Sequence, residues 1–349
     1  MNMPMFESAR ISAWGHSPAT SRAIFRAAFR TIAIAVAFAA ALPGQASEPA
    51  PTPVQLRPAT RSAHAQQAPM LAAAWAGARA VAVGAHGTVL LSDDRGASWR
   101  QASVVPTQLT LTGLSFANER EGWAVGHGGV VLHTQDGGER WQLQRSELSQ
   151  DRPLFAVHFF DRERGVAVGL WSLVLVTRDG GRHWQTQELA PPPGSQRADL
   201  NLFGLFAGPG GALYAAAEKG YVLHSADGGQ SWDYLSTGYR GSFWSGLAMP
   251  DGVLLVGGLR GALYRSGDNG RSWNRIQHES KAAITAWAQT GERSCLAVGQ
   301  DGLQLLSTDN GASYQAAPRQ DRARLAAVLA NANKPALLFS GQGPLTSQP

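Results

Sequence analysis

Six copies of one eight-residue pattern, Ser/Thr-x-Asp-x-Gly-x-x-Trp/Tyr, constrain this chain more than any other feature. They occupy 92–99, 134–141, 177–184, 225–232, 266–273 and 307–314. Their aspartates, Asp94, Asp136, Asp179, Asp227, Asp268 and Asp309, stand 42, 43, 48, 41 and 41 residues apart. That period suits one four-stranded β-propeller blade per repeat, a unit that can bury its faces only against its neighbours. The 48-residue step contains an extra loop, Ala190-Pro191-Pro192-Pro193-Gly194.

Two further landmarks fix the number of units. A Val-Gly-type hairpin ends at Gly87, Gly129, Ser172, Gly220, Gly261 and Gly302, each seven residues before its aspartate, so one rigid strand joins hairpin to box. A seventh hairpin, Ser340-Gly341-Gln342-Gly343, has the same form, and its aspartate would fall at 350. Small residues Gly113, Ala156, Gly204, Ala286 and Ala327 lie sixteen residues before their hairpins, and Gly246 lies fifteen before. Small side chains suit an innermost strand, where the blades crowd the axis. The expected fold is all-β: a seven-bladed β-propeller over 70–349, six blades carrying Asp-boxes. Blade seven stops short of its outer strand. An unpaired edge is a liability, so Pro53-Val54-Gln55-Leu56-Arg57, within the Pro/Ala/Gln-rich segment 47–69, is expected to return and close the ring as an N-terminal strand.

Residues 1–46 have the form of a secretory signal peptide. Arg22, Arg26 and Arg30 precede a twelve-residue apolar run at 31–42, and Gly44-Gln45-Ala46 offers small residues for cleavage. Twelve residues are too few to span a bilayer, which takes about 20. The expected location is therefore periplasmic or otherwise secreted, with no membrane span. The chain has 30 Lys+Arg against 25 Asp+Glu, and cleavage after Ala46 removes 4 and 1, leaving 26 − 24 = +2. A general basic footprint for nucleic acid is absent. The single Cys295 lies in an apolar strand pattern, which suits a buried thiol.

One aspartate per blade places the six box acids around a ring, where they cannot converge on one site. Their expected task is to hold the turn between the third and fourth strands through hydrogen bonds to nearby backbone. Function is then sought on the opposite face, where the hairpins and the blade-to-blade connections lie. The hairpin tips read His86, His127, Trp171, Lys219, Arg260, Asp301 and Gln342, a different residue at almost every tip. The connections add Arg145, Arg152, Arg197, Tyr239, Arg240, Phe243, Trp244, Lys281, Arg319, Arg322 and Arg324. Aromatics beside arginines are the composition of protein-binding anchors. A glycosidase needs paired acids, or a tyrosine with an arginine cluster in the sialidase kind. The acids near this face stand singly, and no Phe-Arg-Ile-Pro segment is present. His86 and His127 lack a third ligand signal, so neither metal nor cofactor is expected. The alternative is a carbohydrate-active or glycan-binding Asp-box propeller without the catalytic motif.

The stretch 114–129, containing Gly122-Trp123-Ala124-Val125-Gly126, and the stretch 159–169, containing Gly165-Val166-Ala167-Val168-Gly169, are each followed by a box. With that fixed spacing they resemble the photosystem II stability/assembly factor family, and the similarity extends over roughly residues 70–349. The resemblance implies a non-catalytic seven-bladed propeller of the thylakoid lumen or periplasm that binds a newly made membrane-protein subunit through an arginine-rich surface. Arg145, Arg152, Arg197, Arg240 and Arg260 are the occupants it suggests for that surface. The alanine- and arginine-rich leader resembles a proteobacterial export signal, which points to a non-photosynthetic bacterial relative.

Overall fold

The computed structural model describes residues 56–331 and 334–345, so the expected leader lies outside it. Seven antiparallel sheets succeed one another over 70–101, 111–145, 154–186, 202–236, 243–275, 284–316 and 325–345. Six have four strands in chain order and the seventh has three among the described residues. They form the seven blades of a propeller. Second strands such as Gly122–Gly126 and Gly165–Gly169 are buried along their whole length. Both of their faces are covered by neighbouring blades, which is why they read as unbroken apolar runs instead of alternating ones.

The core is a series of wedges between blades. Val81 and Leu91 of blade one meet Ala124 and Leu132 of blade two, and Trp123 and Val125 meet Leu154 and Val157 of blade three. The last joint is built in the same way, from Met70, Ala82 and Leu90 of blade one against Ala327, Leu329 and Phe339 of blade seven. Each box turn also presses on the preceding blade. A Cβ at Gly311 would collide with Leu255, and one at Gly96 would collide with Leu337 of blade seven.

The ring meets itself where the innermost strand of blade one, Met70–Ala76, packs beside Leu325–Asn331 of blade seven, with no strand added to blade seven from the N-terminal side among the described residues. Trp75 Nε1 donates to Ala330 O across the joint at 2.8 Å. Of the segment expected as the outer strand of blade seven, 53–55 lie outside the described residues, and Leu56 and Arg57 form no strand. Leu56 packs on the joint of blades one and two, and Ala59 N donates to Val105 O at 2.9 Å. The chain then crosses blade one, held by Gln101 to Thr60 and Ser62 and by Gln66 to Trp99 O.

Innermost strands approach closely. A Cβ at Gly113 would stand 2.9 Å from Ala156 Cα of the next blade, and one at Gly204 2.8 Å from Trp244 O. Every innermost strand shifts register at its second residue, a β-bulge repeated at Leu71, Thr112, Phe155, Phe203, Trp244, Thr285 and Ala326. In blade five the small residue equivalent to Gly113 is therefore Ser245, one before the expected Gly246. The one-residue irregularity in the spacing disappears.

Candidate functional site

The tips of five hairpins have left-handed backbone at a non-glycine residue: His86 (φ 55°), Trp171 (52°), Lys219 (57°), Arg260 (56°) and Asp301 (61°). Such a conformation costs about 1–2 kcal/mol for an L-residue, and all five side chains are exposed. In blade two the equivalent position is Gly128 (φ 65°), so His127 precedes the tip and does not correspond to His86. The residue after each tip touches the outgoing connection. A Cβ at Gly220 would collide with Tyr239 O, and one at Gly302 would stand 3.0 Å from Arg319 O. Ser172, which replaces glycine in blade three, exchanges hydrogen bonds with Leu200 at 2.7 and 3.1 Å. Hairpins and connections thus share one face.

The expected site residues divide into ties and free groups. Arg145 is half-buried and donates to Gly129 O at 2.6 Å, and burial pulls its guanidinium below the ordinary range. Arg152 donates to Trp171 O at 3.3 Å. Tyr239 Oη donates to Leu259 O at 3.1 Å, its ring lying beside Phe243 and Tyr264. Two connection residues are not surface anchors. Phe243 is fully buried, and Arg319 is buried against Asp321. Among the described residues, Arg197, Arg240 and Arg260 are exposed and have no carboxylate at ion-pair distance, whereas Arg322 pairs with Asp301 and Lys219 faces Asp199 at 3.9 Å.

Blades three to five gather most of the expected residues. Arg152 touches the Trp171 turn, Trp171 N donates to Asn201 Oδ1, and Asn201 Nδ2 donates to Glu218 beside Lys219. Tyr239 continues the path to the Arg260 hairpin. Trp171 is 55% exposed, the largest exposure among the big apolar side chains of the described residues. His86 and His127 belong to blades one and two, outside this group. Among the described residues no three His, Cys, Asp or Glu are grouped to hold a metal. Phe155 and Phe203 were not singled out from the sequence. They are half-buried and their rings stack at 5.7 Å. Their signal was positional: each directly precedes a small innermost-strand residue.

The box aspartates are satisfied locally, although Trp184 Nε1 and Asn310 Oδ1 are buried without a hydrogen-bond partner. Ser92 Oγ donates to Asp94 Oδ1, Gly96 N donates to Ser92 Oγ, and Ser98 donates through both N and Oγ to the Asp94 carboxylate. The same pattern recurs at Asp227, Asp268 and Asp309. At Asp94 and Asp268 these serine bonds hold the carboxyl at about 2. Cys295 is buried, and burial pushes its thiol up to about 11.

Residues 66–153 and 143–334 match the family model described as photosynthesis system II assembly factor YCF48. A stretch of 72 residues is 40% identical to the chloroplastic photosystem II stability/assembly factor HCF136 of Cyanidioschyzon merolae, covering 19% of this chain and only 16% of that protein. Among solved structures, YCF48 bound to D1 peptide superposes with a TM-score of 0.65 at 18% identity, over 83% of this chain and 98% of that one. YCF48 from Cyanidioschyzon merolae gives 0.66 at 16% identity, over 80% and 94%. At such identities these two show a shared fold.

Proposed function

The chain belongs to the family of photosynthesis system II assembly factor YCF48, and from that membership we propose a non-catalytic exported scaffold that docks an extracytoplasmic segment of a membrane protein through its hairpin face. The observation that carries the reading is the path across blades three to five, whose hairpins and connections present Arg197, Arg240 and Arg260, exposed and without carboxylate partners among the described residues, together with the exposed Trp171. Unpaired arginines beside an exposed aromatic are the groups that contribute most at protein interfaces. The relative YCF48 has been solved bound to a D1 peptide, and its fold is shared along nearly its whole length. Among the described residues no helix is long and apolar enough to cross a membrane. The leader at 1–46 supports export to the periplasm or beyond, by cleavage after Ala46.

Crosslinking from native membranes tests the reading. The wild-type chain should enrich one membrane protein, and the triple variant Arg197→Glu/Arg240→Glu/Arg260→Glu should lose it while melting normally. Equal recovery by both proteins would remove the hairpin face from the function. Turnover of a sialoside or another glycan would replace the scaffold by an enzyme. Fractionation checks the location, since a cytoplasmic full-length product would contradict export.

A further inference from the structure

We propose that the axial mouth on the hairpin face receives a large apolar side chain, best an aromatic one, from an acidic peptide segment. This rests on the docking reading and names the chemistry of its ligand. The bulged second residue of each innermost strand directly follows the blade-to-blade connection, so these seven positions lie around the axis at the hairpin-face end. A bulge re-aims its side chain out of the regular alternation. Phe155, Phe203 and Trp244, in three consecutive blades, accordingly join none of the inter-blade clusters and keep part of their surface open. The two phenylalanine rings stack at 22°. Thr112 and Thr285, at the same position elsewhere, turn their hydroxyls to Leu154 O and Leu325 O of the next blade. Leu71 and Ala326 hold the position in blades one and seven, so the aromatic residues, though not all the apolar ones, are confined to blades three to five.

Those same blades and their connections carry Arg197, Arg240 and Arg260, which have no carboxylate partner among the described residues. Asp199 faces Lys219 and Glu218 is held by Asn201, so two of the acids on these blades are already engaged. What remains is an aromatic arc rimmed by positive charge. A hydrophobic residue flanked by carboxylates complements both, through a desolvated ring contact and charge-assisted bonds to guanidinium groups.

The full chain carrying 5-fluorotryptophan provides the test, with the Trp244 resonance identified by its loss in Trp244→Phe. Titration with acetyl-Glu-Glu-Phe-Glu-Glu-amide should shift that resonance with a Kd at least tenfold tighter than the twin with alanine replacing phenylalanine. Phe155→Ala/Phe203→Ala should weaken the phenylalanine peptide about tenfold, leave the alanine twin unchanged, and preserve the melt. Equal binding of the two peptides, a shift confined to Trp171, or no shift at all overturns the proposal. So does equal binding of a twin with glutamine replacing glutamate, which would make the arc a site for apolar groups without charge. In each of these cases the docking reading stands or falls separately, on the arginine variant and its membrane partner.

Discussion

At the scale of single residues, the box aspartates and their tryptophans divide the work of holding the turn. Asp94 and Asp268 sit near 2, below the ordinary 3.8, because serine hydroxyls and N–H groups bond the anion. A folded value below the unfolded one means stabilisation that is full above about pH 4 and lost as pH falls toward 2. Urea midpoints measured from pH 5 to 2 should fall over that window, and Asp268→Asn should flatten the curve while lowering its upper end. An unchanged slope would mean the bonds do not distinguish the two charge states. Trp141 is 2% exposed and donates to Gly138 O at 2.9 Å. Trp141→Ala should cost about 3–5 kcal/mol in urea denaturation, with partner affinity per folded molecule unchanged. A loss of affinity would bring the box face into binding.

At the scale of elements, the hairpin landmark was legible because it depends on backbone geometry. Gly220 has φ 73° and its missing Cβ faces Tyr239 O, whereas Gly210 has φ 70° with nothing within 4 Å. Gly210→Ala should therefore cost only the left-handed penalty of about 1–2 kcal/mol, and Gly220→Ala distinctly more, because the connection must also move. Thermal melts of the two variants compare these costs directly, and equal losses would deny the close approach. Two positions differ by one residue from the spacing, one in a turn and one in a strand. His127 was aligned with His86 by its place beside a glycine, yet Gly128 takes the left-handed position. Gly246 is the smaller residue, yet the pairing of Ser245 with Gly257 and the regular spacing of sixteen give that place to Ser245. Spacing shows that a strand exists, but a bulge changes which side chain faces which way. Phe155 and Phe203 stayed hidden in the sequence for that reason.

At the scale of the whole molecule, the number of blades was legible and the way they close was only partly so. Periodicity counts units but carries no information about which surfaces meet at the ends of the count. The joint of blades one and seven repeats the wedge found everywhere else, with Phe339 fully buried and Trp99 edge-on to it at 5.5 Å. An open array frays at its terminal repeats, whereas a ring has none. Amides of Met70–Ala76 should then exchange hydrogen as slowly as those of Leu202–Ala207. Phe339→Ala should cost about 3–5 kcal/mol and release exchange first in blades one and seven. Faster exchange of Met70–Ala76 in the unmodified chain would mean that the joint is open in solution. Deleting 47–58 should lower the melting temperature by less than Phe339→Ala does, because it removes the Leu56 contact at the joint of blades one and two and spares the closing wedge. An equal or larger fall would show that residues before Leu56 supply the strand missing outside Gly343–Leu345, and that closure depends on strand pairing as well as on the wedge.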